Sequence, residues 1–136
     1  MAAEQEGVIL DVSPDGAAFD ADLLARFGHP VLVCHGPPEG GCPLIEEGSC
    51  ELIDSAHGVI FKLDLDRPYH RTILKRYRSL LPEDVPIRAV VSPEQAGRYA
   101  ELLAGVQVWT HEPTASELDG FAAQVEAADM TSERED

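Results

Sequence analysis

The chain has 136 residues, which suits one domain built on a single core. Its 25 acidic side chains outnumber 10 basic ones, and the net charge of -15 argues against general nucleic-acid binding, because phosphate contacts need Lys and Arg. No apolar run is long enough to span a bilayer, the amino terminus lacks a basic, apolar signal pattern, and three cysteines do not make a full disulfide framework, so a cytoplasmic location is expected.

Residues 1–6 are polar and read as a flexible terminus. Val8 to Val12 reads as a first strand, running into the turn composition Ser13-Pro14-Asp15-Gly16. Phe19, Leu23, Leu24 and Phe27 repeat at helical spacing, with Gly28 as a stop. Pro30 introduces a second strand over Val31 to Cys34. The Gly/Pro-rich run from Gly36 to Gly41 is a loop, and a weak helix from Leu44 to about Ser55, interrupted near Gly48, follows it.

Val59 to Leu63 is short and mostly apolar, right for a buried central strand, and it ends on Asp64. Ile73, Leu74, Tyr77 and Leu81 then form a helical stripe among Arg71, Lys75, Arg76 and Arg78. Ile87 to Val91 is the fourth strand. Ser92-Pro93-Glu94-Gln95 is a helix start, with Ser as N-cap, Pro at the first helical position and Gln three residues after the cap. Tyr99, Leu102 and Leu103 make the apolar face of that helix and Gly105 ends it. Val106 to Trp109 is a fifth strand. Thr114-Ala115-Ser116-Glu117 is a second capping box, leading to Leu118, Phe121 and Val125, and residues 130–136 read as a polar tail.

Strand–helix alternation with short connections implies a parallel sheet with helices on both faces, and residues 7–129 form the expected single domain. A carboxylate at the carboxyl end of a central strand stands where open α/β sheets bind ligands. Asp64, four residues before Pro68, resembles the acceptor motif of the response-regulator receiver family. Ile9-Leu10-Asp11-Val12 is similar to that family's first strand, with Asp11 at the first acidic position and Val12 at the second. Val90-Val91-Ser92 and Val108-Trp109-Thr110-His111-Glu112-Pro113 are similar to the ends of its fourth and fifth strands.

The resemblance implies a three-layer flavodoxin-like fold with sheet order 2-1-3-4-5. It implies Asp64 as phospho-acceptor, Mg²⁺ held by Asp11 and Asp64, Ser92 as a phosphoryl contact and Trp109 as the aromatic switch. The departures matter physically. Mg²⁺ needs hard oxygen ligands, and Val12 supplies none. Glu112 stands where the family has a Lys that meets the phosphoryl charge, and a carboxylate there repels it. His111 substitutes only when protonated. The expectation is a degenerate receiver with no enzymatic turnover and no cofactor, Mg²⁺ entering only if the acceptor site is retained.

Two other constellations stand out. Cys34, His35, Cys42 and Cys50 place four soft or imidazole ligands within seventeen residues, the raw material of a metal or redox sensor, although their spacing is not that of paired zinc knuckles. Arg67, Arg71, Lys75, Arg76 and Arg78 are five of the ten basic residues and make a positive segment on an acidic chain. The expected function is therefore a stand-alone pseudo-receiver that binds a signalling protein, with no nucleic acid and no membrane. Arg71, Lys75, Arg76, Arg78, Tyr99 and Trp109 are its candidate contacts, and a homodimer is an allowed assembly. The alternatives are a single-domain response regulator phosphorylated on Asp64 with Mg²⁺, and the Cys/His sensor.

Overall fold

The computed structural model describes residues 7–12, 19–34, 43–46, 48, 53, 56–82 and 85–135. Its strands are β1 (Ile9–Val12), β2 (Val31–Cys34), β3 (Gly58–Phe61), β4 (Ile87–Val90) and β5 (Gln107–Trp109). Its helices are α1 (Phe19–Arg26), α2 (Pro43–Glu46), α3 (Pro68–Leu80), α4 (Pro93–Arg98) and α5 (Ala115–Glu135). The strands form one sheet in the order β2-β1-β3-β4-β5, and every neighbouring pair is parallel. This is the flavodoxin-like order that the sequence resemblance implies. None of the described helices is long and apolar enough to cross a membrane.

Alternation along each strand divides the core into two layers. Leu10, Val12, Val59, Phe61 and Ala89 face α3, whose Ile73, Leu74 and Tyr77 are buried against them. Ile9 and Ile60 face the other way, toward Leu24 of α1 and Leu118, Phe121 and Val125 of α5. All four residues of β1 and all four of β3 are buried. A strand covered on both faces has no polar side to show, which is why these two read as continuous apolar runs, Asp11 excepted.

Helix boundaries follow local chemistry. At α4 both halves of the capping box form: Ser92 Oγ accepts from the Gln95 N–H, and the Gln95 side chain accepts from the Ser92 N–H. At α5 the Thr114–Glu117 pair makes the same reciprocal bonds. α4 is shorter than its apolar face suggests. It stops at Arg98, and the chain continues in turns through Leu103, with Tyr99, Leu102 and Leu103 still packed on the core. Gly105 then adopts a positive φ of 84°. α5 runs on to Glu135, through the segment that reads as a tail in the sequence. Of the weak helix over 44–55, α2 and a helical Ile53 are described, and most of the remainder lies outside the described residues.

Gly58 opens β3 directly beneath α5, and a Cβ there falls well inside contact distance of the Val125 side chain. Gly97, on exposed α4, has nothing within 4 Å of the same construction. Gly58→Ala is therefore expected to lose about 1–3 kcal/mol through overpacking. Gly97→Ala is expected to hold steady or gain up to about 1 kcal/mol of helix propensity. Urea unfolding of the two variants beside the parent checks both signs.

Candidate functional site

The site lies at the carboxyl ends of β3, β4 and β5, where a cleft of about 400 Å³ is lined by residues that include Lys62, Asp64, Ser92, Gln95, His111 and Glu112. The β3 ladder continues one residue past Phe61, because the Lys62 N–H donates to the Val12 carbonyl at 2.8 Å. Asp64 follows in a turn and is exposed. Its Oδ1 accepts two hydrogen bonds, one from the Asp66 backbone N–H at 3.0 Å and one from Gln95 Nε2 at 2.9 Å. Gln95 thus does two jobs: its amide oxygen closes the cap of α4 and its amide nitrogen holds the Asp64 carboxylate. The capping motif is legible in the sequence; its reach to Asp64 is not.

The charge at the rim is arranged differently from the pattern that the resemblance implies. Glu112 does stand at the β5 end, 76% exposed, and it is paired with a cation. That cation is Lys62, whose side chain is 9% exposed and whose Nζ lies 3.0 Å from Glu112 Oε1. The lysine comes from β3 rather than from the β5 loop. In the sequence Lys62 falls inside the run read as the strand Val59 to Leu63, so nothing there marks it as a rim group. His111 faces the amino end of α5, its Nε2 3.0 and 3.1 Å from the two Glu117 carboxylate oxygens. The Glu117 carboxyl is held below its ordinary value, first by the Thr114 backbone N–H and then by His111.

Asp11 is fully buried, and its register partner on β3 is Ile60, four residues before Asp64, which is exposed beyond the strand end. Val12 is core. Among the described residues no group of three or more His, Cys, Asp or Glu side chains could hold a metal ion. Asp11 is sealed in the core and Asp64 is exposed, so the two carboxylates are not both presented to solvent at the rim, where a hydrated Mg²⁺ would sit.

Trp109 is 5% exposed and packs edge-on to Phe121, ring centroids 6.1 Å apart. The Arg88 guanidinium lies over its indole at 4.4 Å. Burial there holds Arg88 below the ordinary guanidinium value, with Glu117 pulling the other way. Trp109 is therefore part of the α5 layer of the core and not an outer contact. Tyr99 lies on the opposite side of the sheet, packed on the α3 layer, so these two candidate contacts do not share a surface. Cys34 is partly buried on β2; His35, Cys42 and Cys50 lie outside the described residues.

A second cluster adjoins the first. Asp66 accepts from the Tyr99 hydroxyl at 2.7 Å and from Arg98 at 2.8 Å. Arg71 donates to the Leu65 carbonyl and to the Tyr99 hydroxyl, and its guanidinium lies 5.2 Å from the Tyr99 ring centroid. Asp66 reads in the sequence as a solvated loop acid. Its partners lie more than thirty residues away, a distance that periodicity does not report.

The Asp66 carboxyl is held below its ordinary value of 3.8, first by the Tyr99 hydroxyl, with smaller help from Gln95 and Arg98. A depressed carboxyl contributes stability above its unfolded value and loses it as pH falls through the folded one. In Tyr99→Phe the Asp66 midpoint is expected to rise toward 3.8, and the stability lost on acidification through this group is expected to shrink. Side-chain carboxyl NMR titration of the parent and the variant measures the change.

No protein-family description matches the chain, and no curated protein is similar to it. Solved structures are similar to it in fold. An adenylate cyclase from Rhodopirellula baltica shares 14% identity at a TM-score of 0.67, over 96% of this chain and 96% of that one. A CheY-like response regulator receiver domain protein from Methanospirillum hungatei JF-1 shares 18% identity at a TM-score of 0.63, over 93% of this chain and 99% of that one. A response regulator protein from Burkholderia multivorans shares 21% identity at a TM-score of 0.58, over 87% and 93%. At these identities the likeness is one of architecture: the chain has a receiver-like, flavodoxin-like fold.

Proposed function

We propose that the chain is a pseudo-receiver, a signalling module that works by binding a protein partner, without turnover and without aspartyl phosphorylation. The observation that carries this reading is the state of the acceptor carboxylate. Asp64 Oδ1 is engaged by Gln95 and by the Asp66 N–H, and the rim lysine, Lys62, is engaged by Glu112. Both hydrogen bonds go to one carboxylate oxygen and fix the orientation of the group, and a phosphoryl group arriving at Asp64 would compete with Glu112 for the cation. Neither Asp11 nor Val12 offers a divalent ion to screen the incoming charge.

Binding without chemistry then rests on surface. The exposed Lys75, Arg76 and Arg78 of α3 and the half-buried Arg71 and Tyr99 are the candidate contacts. The partner is a protein, since the global charge repels nucleic acid and anionic membranes alike. Self-association remains an allowed assembly, and the proposed location is the cytoplasm.

The competing reading, phosphorylation of Asp64, draws on one observation: the carboxylate is exposed in the cleft that Ser92 also lines. Incubation of the protein with acetyl phosphate and Mg²⁺, followed by intact mass, separates the two. The expected result is no phosphate-sized gain. A gain that disappears in Asp64→Asn would overturn phosphorylation independence.

A further inference from the structure

The chain is strongly acidic, yet one groove reverses the sign. It runs between α3 and the α4 segment, with a volume of about 650 Å³. Arg71, Lys75 and Arg78 line it from α3 and Arg98 from α4, against one acid, Glu101. The three α3 cations stand at i, i+4 and i+7, one face of the helix, while Arg76 projects from another.

Two of these cations are held in place by backbone. Arg71 donates to the Leu65 carbonyl, and Arg78 donates to the carbonyls of Leu102 and Ala104. Each guanidinium has five N–H donors in a fixed fork, so these bonds position it and leave donors over. Lys75 is exposed at the middle of the row. At one end, Asp66 already occupies Arg98 and the Tyr99 hydroxyl, so the chain's own carboxylate displays the chemistry that the groove accepts.

We propose that this α3–α4 groove docks a short acidic segment of a partner protein, its carboxylates pairing with Arg71, Lys75, Arg78 and Arg98. The inference rests on the interaction-module reading for the existence of a protein partner and narrows it to one face and one chemistry. The length of the occupant follows from charge. A short segment meets the local cations, whereas a long polyanion such as nucleic acid extends over a surface that is negative elsewhere. A second copy of this chain brings its own net charge of -15 and is repelled at low salt.

The test is an amide NMR titration of the full chain with a decapeptide of alternating Glu and Gly. The expected result is a saturable shift centred on Gly97, Arg98, Ala100 and Leu102 of the groove and on Lys75, weakening as salt rises from about 50 to about 300 mM. Lys75→Glu should weaken the peptide by about tenfold or more. Arg76→Glu, the same charge change on the same helix but off the groove, should weaken it by less than about twofold, since a surface charge acts locally once screened. Both sites are exposed, and the spectra themselves report whether each variant is folded.

Equal losses in the two variants, shifts centred elsewhere, no saturable shift, or equal binding of an oligothymidylate of the same length would each overturn the proposal. Its failure is distinct from that of the functional reading. The groove can fail while acetyl phosphate adds no mass, and a mass gain with peptide binding intact overturns phosphorylation independence alone.

Discussion

The fold depends on two strands that have no outside. β1 and β3 sit at the centre of the sheet, and each of their eight residues is buried between helix layers. Parallel strands need such cover, because their crossovers leave a helix on each face. Once both faces are sealed, the only polar surface these strands can reach is at their ends. The carboxyl ends of β3, β4 and β5 are where Lys62, Asp64, Ser92 and Glu112 gather. The position of the cleft is therefore a consequence of burial, independent of what the cleft does.

What the cleft can do is decided by which charges meet there. Its cation, Lys62, and the Asp64 carboxylate both have partners, drawn from the loop after β5 and from α4. The Lys62–Glu112 pair is half-sheltered, its lysine end nearly buried and its glutamate end in solvent. Such a pair loses little to desolvation on the exposed side and constrains the buried side. The Gln95 amide adds a neutral tether that links the start of α4 to the loop after β3. Asp66, Arg98 and Tyr99 add a second tether to the same loop. The loop that carries Asp64 is thus fastened at two points to α4, and that helix also walls the basic groove.

Much of the architecture was legible in residue pattern. Strand runs, the two capping boxes and the apolar stripe of α3 each rest on nearest-neighbour or one-turn periodicity, and each lies where that periodicity puts it. The strand order came from the family resemblance, since composition is the same for any order. The site was legible only in part. Asp64, Ser92 and Glu112 do line one cleft, because strand-end positions follow from strand assignment. Asp11 misled, because a strand position read without its register says nothing about its level in the sheet, and the register with Ile60 sinks it in the core. Lys62, Gln95 and Asp66 were missed as partners because each bond spans about thirty to fifty residues and depends on side-chain reach.

The stack of Arg88 on Trp109 has a spectroscopic corollary. The chain holds a single tryptophan, and its ring is enclosed between a guanidinium and the edge of Phe121. Emission excited at wavelengths that tryptophan absorbs and the three tyrosines do not is therefore a one-residue gauge of how tightly the terminal helix seats on the outer strand. Anything happening across the sheet, on the side where the basic channel lies, leaves that glow untouched unless it loosens the seat.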